Sequence, residues 1–396
     1  MNELLADRMA LVKPSAIRQF FVLAQQPGVI SFGGGYPDAS LFPLSGLAEA
    51  YRAVIADQGR FAMQYTEQTG LQGLRGEIAK RMRADGVTCS ADNVIMLNGA
   101  QQGLDLFGKL LINQGDLIAV EDPTFIGALI AFNPYQPRYL AIEIDDQGMN
   151  IDALEERLRA DVRFKFLYTV PDFQNPTGAV MSVDRRRRLA ALAHKYNFLV
   201  LEDAPYRDVR FHGNKLPTIK SFDENEKVVY LGSFSKTLAP GLRLGWAVAS
   251  SGLVDKLGML KLAADSQCST INMAVVATFL KNNDFDAHIQ EVQAAYRQKC
   301  DLMVRCMQAA FPSSVKINRA EGGLFLWLEF PEGFDSAAFM LDHLLPEAKV
   351  IYVPGESFFP VLPRKNYARL SYSVASGPAI EKGIGLMGAC LHRHLA

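Results

Sequence analysis

Between residues 94 and 249, short apolar runs alternate with longer stretches of helical periodicity. The runs at 94–98, 117–121, 164–170, 198–203, 228–232 and 243–249 predict strands, with helices such as 103–112, 151–160 and 183–196 between them. Strands this continuously apolar leave no face for water. They predict a mainly parallel sheet covered by helices on both sides, the α/β arrangement. The last quarter reads differently, with strands at 315–319, 325–329 and 368–372 among helices at 335–345 and 378–392. That mixture predicts a smaller α+β unit completed by the N-terminal segment. The expected division is 1–45 packing with the small domain, 46–285 as the large domain and 286–396 as the small one. The boundary is placed inside the helical pattern 272–311.

The 396 residues suffice for two such units, and 49% hydrophobic with 21% charged residues is a globular balance. Lys and Arg total 41 against 42 Asp and Glu, so no bulk field draws the chain to nucleic acid or an anionic membrane. Five scattered cysteines (Cys89, Cys268, Cys300, Cys306, Cys390) include no C-x-x-C pair. That usage fits reduced thiols in the cytoplasm rather than disulfides or a zinc site. The stretch MNELLADRMALVKPSAIRQFF carries charges throughout and does not read as a signal peptide. No run reaches the roughly 18 apolar residues of a membrane span. A cytoplasmic protein is expected.

In an open α/β sheet, ligands bind beyond the carboxyl ends of the strands, so the residues after each strand outline the site. After 94–98 comes Gly99-Ala100-Gln101-Gln102-Gly103, and after 164–170 comes Pro171-Asp172-Phe173-Gln174-Asn175-Pro176-Thr177-Gly178. Glu202-Asp203-Ala204-Pro205-Tyr206 ends the fourth strand, and Ser233-Phe234-Ser235-Lys236 comes after the fifth, with Arg243 close behind. These tails match the needs of pyridoxal phosphate. Its aldehyde requires a lysine amine, for which Lys236 is the candidate. Its ring nitrogen must stay protonated to act as an electron sink, so an aspartate faces it, and Asp203 is placed to do so. Asn175 and Tyr206 can donate to the phenolic oxygen. Backbone amides at Gly99, Ala100 and Gln101, the hydroxyls of Ser233 and Ser235, and the Arg243 cation suit the phosphate.

Ser233-Phe234-Ser235-Lys236-Thr237-Leu238-Ala239-Pro240-Gly241-Leu242-Arg243-Leu244-Gly245 resembles the cofactor-lysine signature of class I/II aminotransferases. Asn175-Pro176-Thr177-Gly178 and Asp203-Ala204-Pro205-Tyr206 resemble that family's two other hallmarks, in the same order. The start, Pro14-Ser15-Ala16-Ile17-Arg18 and Ile30-Ser31-Phe32-Gly33-Gly34-Gly35-Tyr36-Pro37, is similar to the branch containing 2-aminoadipate and kynurenine aminotransferases. The resemblance runs from about Pro14 to the C-terminus and implies the fold type I arrangement, with a seven-stranded, mainly parallel sheet. It further implies that Arg369 grips the substrate α-carboxylate with help from Asn175, and that Phe125 stacks on the cofactor where Tyr is common. Tyr65 is matched to a tyrosine that reaches the phosphate of the neighbouring subunit, which implies a homodimer with shared sites. Gly35 and Tyr36 are expected beside the substrate. Arg18 matches a branch residue that meets a second carboxylate or lines the entrance, and equally reads as a surface residue of the first helix. The implied partners are an amino acid and a 2-oxo acid, exchanged in a ping-pong cycle.

Other readings stand beside these. Asp203 also reads as a helix cap or a partner of Arg207. Arg185–Arg188 reads as a solvated helix face rather than a nucleic-acid patch. The terminal His392 and His394 read as a frayed end rather than a metal site. The same cofactor site supports decarboxylation or elimination, because the cofactor breaks the bond. A ligand-sensing regulator is the alternative from another class, and it needs a basic DNA-binding domain that does not fit before Pro14.

Overall fold

A computed structural model describes residues 4–12, 22–318 and 320–395. Arg18 and the rest of the 14–18 motif lie outside the described residues. The first two strands belong to different sheets. β1 (Ile30–Ser31) pairs in parallel with β12 (Val350–Ile351), while β2 (Val94–Leu97) edges the large sheet. Alternation along β2 shows how that sheet is held. Ile95 and Leu97 pack among Leu104 and Phe107 of the helix Ala100–Leu111. Val94 and Met96 pack on the other face, among Leu74 and Ile78 of the helix Gln72–Ala84.

The remaining large-sheet strands are β3 (Leu117–Asp122), β4 (Arg138–Asp145), β5 (Gly148–Met149), β6 (Phe166–Thr169), β7 (Leu199–Asp203), β8 (Val228–Ser233) and β9 (Gly245–Val248). Their order is β2-β9-β8-β7-β6-β3-β4-β5. The run from β8 through β4 is parallel, β9 is antiparallel to both its neighbours, and β5 turns back on β4. The sheet is mainly parallel, as expected, and the two-residue β5 brings the expected seven strands to eight. β4 is absent from the predicted strands for a physical reason. It lies near an edge and is partly exposed along most of its length, so it carries no continuous apolar run.

A second sheet has the order β10-β11-β14-β13, from β10 (Lys316–Ile317), β11 (Phe325–Glu329), β13 (Val353–Pro354) and β14 (Tyr367–Ser371), and is antiparallel. β10 is shorter than the predicted 315–319, of which Arg319 lies outside the described residues. The helical pattern 272–311 is two helices, Thr270–Asn282 and Phe285–Ala310, and Asp284 caps the second by accepting from Ala287 N at 2.9 Å. The predicted helix 335–345 is instead Ser336–Phe339, a π-helical turn Met340–Leu344 and Leu345–Ala348. Pro346 has no N–H to donate back into that turn, which the wider π geometry accommodates.

The Arg185–Arg188 run is not a solvated face throughout. Arg186 is fully buried, forms a two-pronged ion pair with Asp172 at 2.8 and 3.1 Å, and donates to the Pro171 and Met181 carbonyls. A buried guanidinium so paired fixes the chain just before Gln174 and Asn175.

Candidate active site

The carboxyl ends of β6, β7 and β8, the N-terminus of the helix Ala100–Leu111 and the side of β14 open onto one cavity of about 290 Å³. Lys236 stands in it, and its amine donates to the Gly35 carbonyl at 2.8 Å. Burial, with Arg369 and Arg243 nearby, pulls that amine down to about 8. At neutral pH a fraction is therefore unprotonated, the state a nucleophile or base needs.

Asp203 ends β7 and is 2% exposed. Its Oδ2 accepts from the Tyr168 hydroxyl at 2.8 Å, while Oδ1 is buried with no hydrogen-bond partner. Burial pushes the carboxyl up to about 7. An orphaned buried carboxylate oxygen is costly unless a donor or cation faces it. A protonated ring nitrogen supplies both, so this corner fits pyridoxal phosphate. The alternative reading of Asp203 as a partner of Arg207 does not hold, because Arg207 pairs with Asp85.

The phosphate end fits as well. Gly99 caps the twelve-residue helix with φ 84°, a conformation that favours glycine, and leaves the first amides of Ala100 and Gln101 at the cavity. A Cβ at Gly99 would lie 2.7 Å from Arg243 Nη2, so the missing side chain also lets the guanidinium close over the helix start. Arg243 Nη2 is held by the Asn98 carbonyl at 2.9 Å. Ser235 Oγ accepts from the Ser233 hydroxyl at 3.0 Å, and Ser233 Oγ accepts from Ser235 N at 3.1 Å. Phe125 lines the cavity just before the helix Ile126–Phe132, and Gln101 Nε2 ties the two cavity-lining segments by donating to Gly127 O at 2.7 Å.

Asn175 joins the remaining groups. Its Nδ2 donates to the Tyr206 hydroxyl at 3.2 Å, and its Oδ1 accepts from Arg369 Nη1 at 2.9 Å. Arg369 Nη2 donates to the Gly33 carbonyl at 3.0 Å, and the guanidinium lies 4.2 Å over the Phe325 ring. Burial pulls Arg369 down to about 10 and pushes the Tyr206 phenol up to about 12. The buried Arg369 Nε has no partner, leaving the fork short of acceptors that a carboxylate provides.

Gly35 and half-exposed Tyr36 line the cavity wall. Tyr65 does not line it. It is 80% exposed on the molecular surface. Sequence reasoning missed Tyr168 and Phe325, each of which sits inside an apolar strand run. Nothing in such a run separates a side chain aimed at a site from one aimed at the core. The missed Gly33 contributes only its carbonyl, which no side-chain pattern reveals. Away from the cavity, His394 is not paired with His392 as a frayed end. Its ring stacks on His343 at 3.8 Å and its Nε2 meets Glu347 at 3.2 Å. Among the described residues, no helix is long and apolar enough to cross a membrane.

Residues 29–381 match the family model for aminotransferase class I and II. The chain is 37% identical to aromatic-amino-acid aminotransferase 1 of Thermococcus litoralis, over 94% of this chain and 90% of that one. Two solved structures are similar at full coverage of this chain and 98% of theirs. One is the kynurenine aminotransferase of Pyrococcus horikoshii in complex with PMP, KYN and KYA, at 33% identity and a TM-score of 0.95. The other is the α-aminoadipate aminotransferase of Thermus thermophilus complexed with N-(5'-phosphopyridoxyl)-L-leucine, at 32% identity and a TM-score of 0.91. With its lysine, aspartate, asparagine and arginine gathered at one cavity, the chain belongs to the class I and II aminotransferases.

Proposed function

We propose that this aminotransferase moves an amino group from an L-amino acid with an aromatic, long aliphatic or 2-aminoadipate-like side chain to 2-oxoglutarate, in a ping-pong cycle of two half-reactions. The observation that carries the reading is that Lys236 and Arg369 open onto one cavity, with Asn175 holding the arginine. The cofactor is pyridoxal phosphate, which when bound takes up the electron pair left at the substrate α-carbon.

The chain's own residues do the rest. Arg369 binds the α-carboxylate through its fork, and Asn175 orients that fork. The Lys236 amine takes the proton from the α-carbon and delivers it to the cofactor carbon that bore the aldehyde, so that the amino group stays behind when the 2-oxo acid leaves. Asp203 would keep the bound cofactor's ring nitrogen protonated, Tyr206 and Asn175 would donate to its phenolic oxygen, and Phe125 would pack against its ring. Gly99, Ala100, Gln101, Ser233, Ser235 and Arg243 hold the phosphate, with Tyr65 added from a partner subunit of a homodimer in the cytoplasm. Tyr36 and Phe325 give the cavity apolar surface, which supports a substrate with an apolar or aromatic side chain. The names of the similar enzymes, for aromatic amino acids, kynurenine and α-aminoadipate, support the same range.

A steady-state screen of amino acids against 2-oxoglutarate, read as glutamate formed, tests this. Turnover with an aromatic or long-chain donor is expected. No glutamate from any donor overturns it.

A further inference from the structure

Two buried polar side chains outside the cavity lining tie the active-site segments together. Glu121, on β3, is 1% exposed. Its carboxylate accepts from the Thr169 hydroxyl at 2.6 Å, from Val170 N at 3.3 Å and from Gln174 Nε2 at 3.0 Å. Gln174 is equally buried and uses every polar atom of its side chain. Its Nε2 also donates to the Pro123 carbonyl at 2.9 Å, and its Oε1 accepts from Thr177 N at 2.9 Å and the Thr177 hydroxyl at 2.8 Å. Its backbone is fixed too, with its N–H donating to Ala179 O at 2.9 Å and its carbonyl accepting from Gly178 N at 2.6 Å.

These bonds join three segments that carry active-site groups. Pro123 lies two residues before Phe125, and Gln174 immediately precedes Asn175. The Thr177 carbonyl accepts from Asn318 Nδ2 at 2.6 Å, and Asn318 Oδ1 accepts from Trp327 N at 2.7 Å on β11, the strand beside Arg369. A buried network with every donor and acceptor matched is rigid, and a mismatch in it is costly.

We infer that Glu121 and Gln174 are positioning residues for the substrate carboxylate, the Gln174 amide on its Glu121 anchor setting where Asn175 meets Arg369 and Tyr206. The inference rests on the aminotransferase reading, which gives Arg369 a carboxylate to hold. Neither residue touches substrate. Each acts through Asn175, 2.9 Å from the arginine. The Glu121 oxygens face only donors, from Thr169, Val170 and Gln174, whereas a Gln there turns an NH2 against one of them. The reverse change, Gln174→Glu, sets a carboxylate against a carboxylate. Exchanging both residues restores one donor to one acceptor between them.

The test uses the holoenzyme of the wild type, Glu121→Gln, Gln174→Glu, Gln174→Met and the double exchange Glu121→Gln with Gln174→Glu. KM and kcat for the best amino donor are measured, together with the Kd of 3-phenylpropanoate, a carboxylate without an amino group, by equilibrium dialysis. The single variants are expected to raise both KM and Kd about tenfold or more, with kcat falling less. The double exchange is expected to recover part of the loss, as coupled neighbours do. If Glu121→Gln or Gln174→Glu does not fold, Gln174→Met and Thr177→Val carry the same expectation, since each removes bonds to the hub without burying a new charge. Folded variants that keep wild-type KM, kcat and Kd while losing only thermal stability overturn the positioning role. A wild type with no transamination at all overturns the reading beneath it instead.

Discussion

Arg369 Nη1 donates to Asn175 Oδ1 at 2.9 Å across 194 positions of the chain. The bond links β14 of the antiparallel sheet to the loop after β6 of the mainly parallel one, so the Arg369 fork is aimed by both. Arg369→Lys keeps the charge and loses the fork, because an ammonium cannot meet Asn175, Gly33 and a carboxylate in one plane. We expect kcat/KM to fall about a hundredfold, mostly through KM, as for loss of a two-pronged charged contact. Steady-state kinetics check this, and a variant within a few-fold of wild type contradicts it.

Asp203 offers one free oxygen, its Oδ1, to the cavity side of β7, while Tyr168 occupies the other at 2.8 Å. Asp203→Asn keeps the shape and removes the charge proposed to hold the cofactor's ring nitrogen protonated. Turnover is expected to fall by about a hundredfold or more, in line with loss of a preorganised charge. Tyr168→Phe leaves the charge in place and is expected to cost only a few-fold. Equal losses in the two variants contradict this division of labour.

Three fully buried carboxyls, Glu121, Glu202 and Asp203, are each pushed up to about 7 by burial. Their values in an unfolded chain are near 4. The folded protein therefore keeps protons that the unfolded chain releases. The stability this contributes is full below about pH 4 and is lost as pH rises through about 7. Cofactor-free protein is expected to melt at progressively lower temperature from about pH 5 to about pH 8, and Asp203→Asn to flatten that fall. Bound cofactor is expected to flatten it too, if its protonated ring nitrogen faces Asp203 as proposed. Calorimetry across this range reads the slope, and an unchanged slope in Asp203→Asn contradicts the assignment.

Tyr65 is 80% exposed, and Leu44, Ile55, Phe61 and Met63 expose large apolar surface in the segment leading to it. Such a patch points to a subunit contact. Sedimentation equilibrium is expected to give twice the chain mass at micromolar concentration. Tyr65→Phe is expected to keep that mass and weaken cofactor binding about tenfold, the worth of one hydrogen bond to a charged group. A monomer, or a Tyr65→Phe variant with unaltered cofactor affinity, contradicts the shared site.

Much of the fold was legible in the sequence because parallel strands advertise themselves. β3, β6, β7 and β8 are continuous apolar runs, and the residues just past their carboxyl ends build the site. Asn175, Asp203, Tyr206 and Lys236 are polar residues in that fixed context, and the structure gathers them at one cavity. The half-exposed β4 was illegible because its pattern is broken by solvent-facing positions. The buried Arg186 was misread because a run of four arginines looks alike until the fold supplies Asp172. Gln174 and Glu121 passed unnoticed as well, because their meaning lies in partners far along the chain, 53 positions apart from each other.

The absorption spectrum of the purified protein tests the central claim most directly. After incubation with pyridoxal phosphate, a visible band is expected, and Lys236→Ala is expected to lack the lysine-linked form. An amino donor should bleach the wild-type band, and a 2-oxo acid should restore it. A protein that takes up no pyridoxal phosphate and shows no visible band under these conditions contradicts the assignment of Lys236 as the cofactor's anchor.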